Sequence, residues 1–356
     1  MTTEARVLAH GLACPLGLRA GAALAALHAG ISRFTESEQV VDAAGDAARG
    51  AMLRQLDPAA SRTERAVFFA RHAFSEVARP LASSGLAVLP CFLAWPEPGF
   101  GPALDLGLVQ RGLAEVARAA GGAYTLELRP ERLFAAGRAG AFAAVRAALD
   151  AFERDDCRIA VVGGLDSRVD PSTLRALADA DRLLGRRNPD GLLPGEGAAF
   201  LVLVSPRAAT TDRTLARLTG FALAREPHPR GHGGPYVGDG LTGVFRALQV
   251  RHPGRVDVVF SAQTGEGCYG RAFAYAYLRA AALMPEPLRQ VVLGALLGDA
   301  GAAAGAIALA AAVAGLHFGP QPGQPTRYRT ALVYGESDDG TVGGSIVEAA
   351  EARRRA

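Results

Sequence analysis

Phe134-Ala-Ala-Gly-Arg-Ala-Gly-Ala-Phe142 is a stretch of small residues that leads into a predicted helix. Beyond it, large apolar residues recur at helical spacing and predict a buried helix face; they are Phe142, Val145, Leu149 and Phe152. Next comes Arg158-Ile-Ala-Val-Val-Gly-Gly-Leu-Asp166, whose continuous apolar run is typical of a strand buried on both faces. The sequence therefore predicts a helix that packs beside a central sheet.

The same alternation of strands and helices extends along the chain in both directions. Strands are predicted at residues 6–9, 86–95, 124–128, 159–162, 199–204 and 256–260, and helices at residues 20–28, 104–120, 272–282 and 300–316. Ser61-Arg-Thr-Glu64 is a capping box that starts another helix, and residues 331–334 and 344–347 form a predicted hairpin. Strands that alternate with helices predict an α/β layered fold.

The composition argues against several classes of protein. A net charge of +3 over 356 residues is too small to indicate binding to nucleic acid or to an anionic membrane. All 38 basic residues are arginine, so no lysine serves as a Schiff base, a general base or an anion anchor. The four cysteines (Cys14, Cys91, Cys157 and Cys268) lack metal or disulfide spacing, as is typical of a reduced cytoplasmic protein. We expect no membrane span, no metal and no cofactor.

Three further motifs occur after the stretch around Arg138: Asp190-Gly-Leu-Leu-Pro-Gly-Glu-Gly197, Gly294-Ala-Leu-Leu-Gly-Asp-Ala-Gly301 and Gly340-Thr-Val-Gly-Gly-Ser-Ile346. In combination, this series resembles the β-ketoacyl synthase (ketosynthase) family, the condensing enzymes of fatty-acid and polyketide synthesis. The resemblance covers nearly the whole chain.

The resemblance implies a thiolase-like duplicated α-β-α-β-α layered fold with two central helices, one after Arg138 and one after Asp299. It also implies two integrated halves, residues 1–205 and residues 206–356. Subunits of the family pair through the strand before the nucleophile, here residues 124–128. We therefore expect a homodimer, or a heterodimer with a related ketosynthase, and an acyl-carrier protein as a further partner.

The resemblance also implies a catalytic cysteine, two histidines and a lysine, and none of them is present. Their positions fall at Arg138, Ala262, Ala295 and Gln290, respectively. Residues 126–156 contain no Cys, Ser or Thr, and residues 253–316 contain no His. A shift of the alignment by a residue or two therefore does not restore the set.

Arg138 has two interpretations. A guanidinium at a helix N-terminus is suited to bind a carboxylate or a phosphate. Alternatively, it fills the empty nucleophile position and pairs with a nearby acid such as Glu196 or Glu266, and we favour this structural interpretation. The candidate pocket residues are Arg138, Gln263, Glu266, Cys268 and Glu196.

Two functional hypotheses follow, and a third possibility is retained binding of an acyl-carrier protein or a fatty acid without turnover. The first is a ketosynthase-like protein without condensing activity that acts as a binding or partner subunit. The second is an active acyltransferase with a non-standard nucleophile such as Cys268, although nothing in the sequence lowers the pKa of that thiol. His228 and His232 lie four residues apart in a Pro/Gly segment, which predicts a solvated loop rather than a metal site.

Overall fold

The computed structural model describes residues 4–99, 101–208, 214–317 and 327–350. Its helices are α1 (Ala20–His28), α2 (Arg62–Ala82), α3 (Leu106–Ala119), α4 (Gly140–Glu153), α5 (Pro171–Asp179), α6 (Asp239–Arg251), α7 (Gly267–Arg279), α8 (Gly294–Leu297) and α9 (Ala304–Gly315). Its strands are β1 (Ala5–Ala13), β2 (Thr35–Val41), β3 (Ala47–Gly50), β4 (Val88–Ala94), β5 (Thr125–Glu127), β6 (Leu133–Phe134), β7 (Ile159–Ser167), β8 (Glu196–Val204), β9 (Ala216–Arg225), β10 (Val258–Ser261), β11 (Gln290–Val292), β12 (Thr330–Glu336) and β13 (Thr341–Ala349).

The central sheet consists of two blocks of strands with the same pattern. The strand order is β11-β10-β12-β13-β9-β1-β8-β7-β4-β5, and β6 pairs with β4. From the outer edge inward, β5, β4 and β7 are parallel, whereas β8 and β1 are antiparallel to their neighbours. The other block repeats this arrangement with β11, β10, β12, β13 and β9. The blocks join where β1 pairs with β9. The mixed α/β fold predicted from the sequence is confirmed.

Helices α4 and α9 are the two central helices. Every residue from Ala304 to Ala314 in α9 is buried, and most residues of α4 are buried as well. Their small side chains allow the backbones to approach closely. A Cβ atom on Gly305 would lie 2.4 Å from the carbonyl oxygen of Arg138. The close packing therefore depends on glycine at this crossing point.

Helix α2 begins as the sequence predicts. The Ser61 hydroxyl accepts a hydrogen bond from the Glu64 N–H at 3.3 Å, and the Glu64 carboxylate accepts one from the Ser61 N–H at 2.8 Å. The buried face of α2 packs on the sheet, where Phe74 meets Phe200 edge to face with ring centroids 5.4 Å apart. This arrangement places two arginines of the first turn, Arg62 and Arg65, inside the molecule.

Some predictions concern residues beyond the described ranges. The polar junction predicted at residues 205–212 is described only as far as residue 208, and the basic residues Arg353 to Arg355 lie outside the described part. The division at residue 205 stays a prediction. Within the described residues, every helix is too short or too polar to cross a lipid bilayer.

Candidate functional site

Arg138 lies immediately before the central helix α4. It is the middle residue of a 3-10 turn, Gly137–Ala139, and only 1% of its surface is exposed. Gly137 has a φ angle of 44°, a left-handed conformation that favours glycine. The N–H of Ala139 donates a hydrogen bond to the Ser337 hydroxyl oxygen at 2.8 Å. The N-terminal end of α4 is therefore occupied by groups from the chain itself.

The Arg138 guanidinium is bound on all three nitrogens. Nε donates to the Glu336 carbonyl oxygen at 2.8 Å, and Nη1 lies 3.2 Å from Asp299 Oδ2. Nη2 donates to the Tyr269 hydroxyl and to Asp338 Oδ1, each at 2.7 Å. The prediction that Arg138 pairs with Glu196 or Glu266 is wrong, because loops from the second half of the chain bring Asp299 and Asp338 closer.

Arg138 is one member of a larger set of charges, which we call the ion cluster: Arg138, Arg168, Arg182, Glu266, Asp299 and Asp338. Arg168 lies 2.5 Å from Asp299 Oδ2, so two arginines share that oxygen. Arg182 binds both carboxylate oxygens of Glu266, at 2.9 and 2.8 Å, and reaches Asp338 at 3.0 Å. Asp338 thus bridges Arg138 and Arg182.

The ion cluster keeps its two aspartates ionised. Burial by itself would raise the pKa of Asp299, but the Arg168 and Arg138 guanidiniums outweigh it and lower that pKa. Likewise, burial opposes ionisation of Asp338, yet Arg138 and Arg182 hold its pKa well below the usual range. Charges removed from water are tolerated here because each has a close partner of opposite sign.

Glu196 does not lie in the ion cluster. It forms a two-point ion pair with Arg65 at 2.7 and 2.8 Å and accepts hydrogen bonds from the Leu53 N–H and the Ser167 hydroxyl. Next to it, Arg62 binds both carboxylate oxygens of Asp166, at 2.8 and 3.0 Å. These bonds fix the start of α2 to strands β7 and β8, which indicates a structural role for Glu196.

The predicted histidine and lysine positions lie together on the second block of the sheet. Ala262 follows β10 and is buried, whereas Ala295 in α8 is exposed. A Cβ atom on the neighbouring Gly294 would lie 2.1 Å from the Gln263 carbonyl oxygen, so the two segments are in contact. The Gln290 side chain faces the hydroxyls of Ser261 and Tyr334 and the Gln263 amide oxygen at 3.3–3.5 Å.

Gln263 connects this region to the ion cluster. Its side-chain amide donates to the Tyr269 carbonyl oxygen at 2.9 Å, and the Tyr269 hydroxyl lies between Arg138 and Asp338. The Arg138 guanidinium also lies 4.9 Å from the centre of the Tyr269 ring, a cation–π contact. Of the predicted pocket residues, the structure therefore brings together Arg138, Gln263 and Glu266.

Cys268 lies in the first turn of α7, next to Glu266. Burial and the Glu266 carboxylate raise the pKa of its thiol, so the reactive thiolate is disfavoured. Burial also raises the pKa of Cys14 to about 11, of Cys91 to about 12 and of Cys157 to about 11. None of the four thiols has the lowered pKa that is typical of a catalytic cysteine.

His228 and His232 are exposed in the segment between β9 and α6. His232 Nδ1 lies 3.3 Å from the Arg230 carbonyl oxygen. Among the residues that the structure describes, no group of three or more His, Cys, Asp or Glu side chains is arranged to hold a metal ion.

The sequence analysis missed the acids that pair with Arg138 and the tyrosine between them. Asp299 lies within the predicted motif of residues 294–301, and Asp338 lies two residues before the motif of residues 340–346. Because the chain contains no lysine, a buried acid in or near a glycine-rich motif could have been predicted to pair with an arginine. Tyr269 had no comparable signal.

Comparisons with known proteins agree with this fold. Residues 123–209 match the family model described as "Beta-ketoacyl synthase, N-terminal domain". No curated protein matches the sequence. Among solved structures, the ketosynthase from module 6 of the bacillaene synthase of Bacillus subtilis 168 aligns with a TM-score of 0.73 and 12% identity, over 98% of this chain and 72% of that chain.

Two other similar structures contain paired or carrier-bound ketosynthases. One is a type II polyketide synthase acyl-carrier protein in complex with its ketosynthase (TM-score 0.74, 15% identity, 99% of this chain and 100% of that chain). The other is the ishigamide ketosynthase/chain length factor (TM-score 0.68, 15% identity, 98% of this chain and 100% of that chain). At these identities, the likeness shows the fold. The predicted recognition as a ketosynthase-like chain is confirmed.

Proposed function

We propose that this chain, which has the ketosynthase fold and carries a β-ketoacyl synthase N-terminal segment, is a non-condensing subunit that acts through binding. One observation carries the proposal: a buried arginine, held by the ion cluster, stands at the start of α4. A condensing enzyme needs a nucleophile at that helix start to hold an acyl chain as a thioester. A guanidinium that is protonated and bound on every nitrogen is no nucleophile.

The other positions of the expected catalytic set support the same proposal. Ala262 and Ala295 offer a methyl group where a histidine would stabilise a developing enolate. Gln290 is neutral where a lysine would carry charge, and its amide is engaged with Ser261, Gln263 and Tyr334. Replacing one residue of such a set slows a reaction, whereas replacing all of them removes the nucleophile and the electrostatic stabilisation together.

A partner subunit is the binding role that we favour. Strand β5 is the outermost strand of its block, so its outer backbone groups are available to a strand from another chain. Similar structures include a ketosynthase/chain length factor and a ketosynthase in complex with its acyl-carrier protein. We therefore propose a homodimer or a heterodimer with an active ketosynthase, in the cytoplasm, with an acyl-carrier protein as a further component.

Acyl transfer to the protein is the decisive test. The purified chain is incubated with acyl-coenzyme A and acyl-carrier-protein thioesters, and its intact mass is measured, with an active ketosynthase as the positive control. We expect no added mass on this chain and a full acyl adduct on the control. An acyl adduct that survives denaturation would contradict the proposal, and Cys268→Ala then shows whether Cys268 carries it.

Binding to a partner is tested separately. The chain is co-expressed with candidate condensing enzymes from the same cell, and the purified species are sized by light scattering. We expect a two-subunit complex, with either a second copy or an active ketosynthase. A chain that stays monomeric and binds neither a ketosynthase nor a carrier protein would contradict the partner role.

The alternative function is an acyltransferase that uses Cys268. Its position in the first turn of α7, beside the ion cluster, is the observation that favours it. The raised pKa of that thiol opposes it. The intact-mass experiment described above distinguishes the two functions.

A further inference from the structure

The segment between β9 and α6 forms a loop that is closed at its base; we call residues 227–238 the cover loop. The Glu226 carboxylate accepts hydrogen bonds from the N–H groups of Gly240 and Asp239, at 2.8 and 3.4 Å, so the two ends of the loop are held together. Gly231, Gly233 and Gly238 have positive φ angles, which allow the chain to turn back on itself.

Two side chains fasten the cover loop to the candidate site. The Tyr236 hydroxyl donates a hydrogen bond to Glu336 Oε2 at 2.7 Å, and the Tyr236 ring meets Tyr269 edge to face with centroids 5.5 Å apart. Arg230 Nη2 lies 3.2 Å from Glu266 Oε1 in the ion cluster. Both acids that receive these contacts are buried, at 2% exposure for each residue.

The remainder of the cover loop is weakly attached. Residues 231–233 are exposed, and the loop contains neither helix nor strand. A solvent-open cavity of about 460 Å³ lies against its first half, lined by Arg225, Glu226, Pro227, Pro229, His232 and Asp339. A segment with few buried apolar contacts opens at a low free-energy cost. The contacts of Tyr236 and Arg230, together with a hydrogen bond from Arg279 Nη1 to the Val237 carbonyl oxygen at 3.2 Å, therefore carry much of the closure.

Glu336 and Glu97 are buried acids near Arg138 whose carboxylates lie outside the ion cluster, and burial raises the pKa of both; Glu336 is the one that the cover loop contacts. The groups that face it are Tyr236 from the cover loop, Glu226 from the end of β9, Arg138 from the turn before α4, Gln263 from the segment after β10, and Tyr334 from its own strand. Burial raises the pKa of Glu336 to about 7; the Glu226 charge acts in the same direction, while Tyr236, Arg138 and Gln263 oppose it.

We propose that the cover loop is a proton-controlled lid, which is closed over the ion cluster while the Glu336 carboxyl group is protonated and opens when that group ionises. An ionised carboxylate buried without a full set of partners is costly, and opening the loop supplies water to it. Ionisation of Glu336 and opening of the lid are thereby coupled. This proposal does not depend on whether the protein condenses acyl groups.

The direction of the effect follows from linkage. In the open state, water reaches Glu336 and its pKa falls back toward the ordinary value of 4.5. Because the pKa of the closed state is the higher one, the closed state is favoured in acid, and this advantage is lost as the pH rises from 4.5 to about 7. Above that range, both states carry the ionised group.

Hydrogen exchange measured on the intact chain tests the lid. Protection factors of peptides covering residues 227–238 are compared at about pH 5.5 and about pH 8, after correction for intrinsic exchange rates. We expect protection to fall by about tenfold or more at the higher pH, and Glu336→Gln to remove this pH dependence. Equal protection of the wild-type loop at both pH values, or a pH dependence that persists in E336Q, would overturn the proposal.

Three further measurements separate the lid from other causes. Tyr236→Phe removes one fastening, so protection of the loop should fall at both pH values. Histidines also titrate in this range, so a chain with His228→Gln and His232→Gln is the matched control and should keep the pH dependence. Loss of the dependence in that control would also overturn the proposal. Peptides from α9 report global opening, and the loop should exchange faster than they do at both pH values, which separates local opening from global unfolding.

Discussion

At the scale of single residues, Arg138 shows how a charged side chain can be buried in the interior of a protein. Its guanidinium meets two ionised aspartates, a tyrosine hydroxyl and a backbone carbonyl. The gain from such bonds roughly offsets the cost of removing the charge from water. The ion cluster therefore adds little net stability, but its members depend on one another. Removing one charged side chain costs more free energy than the intact ion pair contributes.

Arg138→Met tests this dependence. The substitution leaves Asp299 and Asp338 buried with one cation fewer, so we expect the free energy of unfolding to fall by about 3–5 kcal/mol. Urea unfolding followed by circular dichroism measures the loss. The matched control is Arg186→Met, which breaks an exposed pair with Asp46 and should cost less than about 1 kcal/mol. Equal effects of the two substitutions would show that the ion cluster is not a coupled unit.

At the scale of helices and strands, the sequence predicted the regular elements better than the connections. Buried strands such as β7 and β8 are continuous apolar runs, and the capping box marks the start of α2. The β2–β3 ribbon, β9 and α6 were not predicted. The β2 strand is mostly exposed and polar, and α6 follows a Pro/Gly segment without a side-chain cap. Such elements form because tertiary contacts stabilise them, and the local pattern of apolar and polar residues does not predict those contacts.

The candidate site was predictable in its position but not in its pairing. The small-residue stretch around Arg138 indicated a helix start at a central location, which the structure has. Which acids reach Arg138 depends on where the chain turns between residues 298 and 301 and between residues 336 and 340. Those turns join segments that are 161 and 200 residues away from Arg138 along the chain. The spacing of residues within a motif does not predict pairing between segments that are so far apart along the chain.

The substitution Gly305→Ala tests the packing of the two central helices, α4 and α9. A Cβ atom there would lie 2.4 Å from the Arg138 carbonyl oxygen, so Gly305→Ala should destabilise the protein by about 1–3 kcal/mol. Gly270→Ala in α7 is the control, because no atom lies within 4 Å of its added Cβ, and it should stabilise by about 0.5–1 kcal/mol. Thermal unfolding of both variants measures the difference, and a neutral Gly305→Ala would refute the close crossing.

Strand β5 tests how subunits pair. The Thr125 N–H donates inward to the Ala87 carbonyl oxygen, so the next N–H along the strand, that of Leu126, points outward. Leu126→Pro removes that outward donor and should shift the assembly to monomers by light scattering. Val292→Pro is the control: the Leu293 N–H donates inward to Ser261, so the substitution removes an outward donor from β11, at the opposite edge. A dimer that survives the first substitution but not the second would move the interface to β11.

At the scale of the whole molecule, the ion cluster divides its charges between the two blocks of the fold. All three arginines precede residue 206, and all three acids follow it. Each ion pair among them therefore crosses between the two sequence halves. The halves share a sheet, a pair of central helices and this set of charges, so we expect them to unfold together in one transition.

The pH dependence of stability tests the buried acids as a group. The lowered pKa values of Asp299 and Asp338 contribute stability that is lost only as the pH falls below about 3.8. The raised pKa values of Glu336, Glu97 and Glu226 act in the opposite sense, and the contribution of Glu336 is lost between pH 4.5 and about 7. We expect the free energy of unfolding to be greater at about pH 5 than at about pH 8, by up to about 3 kcal/mol and by less where the cover loop opens and hydrates Glu336.

Glu336→Gln is the variant that checks this assignment, because glutamine keeps the shape of the side chain and does not titrate. Its urea unfolding curves at the two pH values should lie closer together than those of the wild-type chain. If the wild-type chain were more stable at the higher pH, Glu336 would have to be ionised and well paired in the folded protein.

The aspartate oxygen shared by Arg138 and Arg168 limits which residues position 138 can accept. A change from Arg138 to cysteine would leave Asp299 and Asp338 with one cation fewer, so we expect it to destabilise the chain whatever the new thiol can do. Introducing a nucleophile by that one substitution would therefore also require changes in the acids that surround it. The charge pairing thus makes position 138 intolerant of single substitutions to neutral residues.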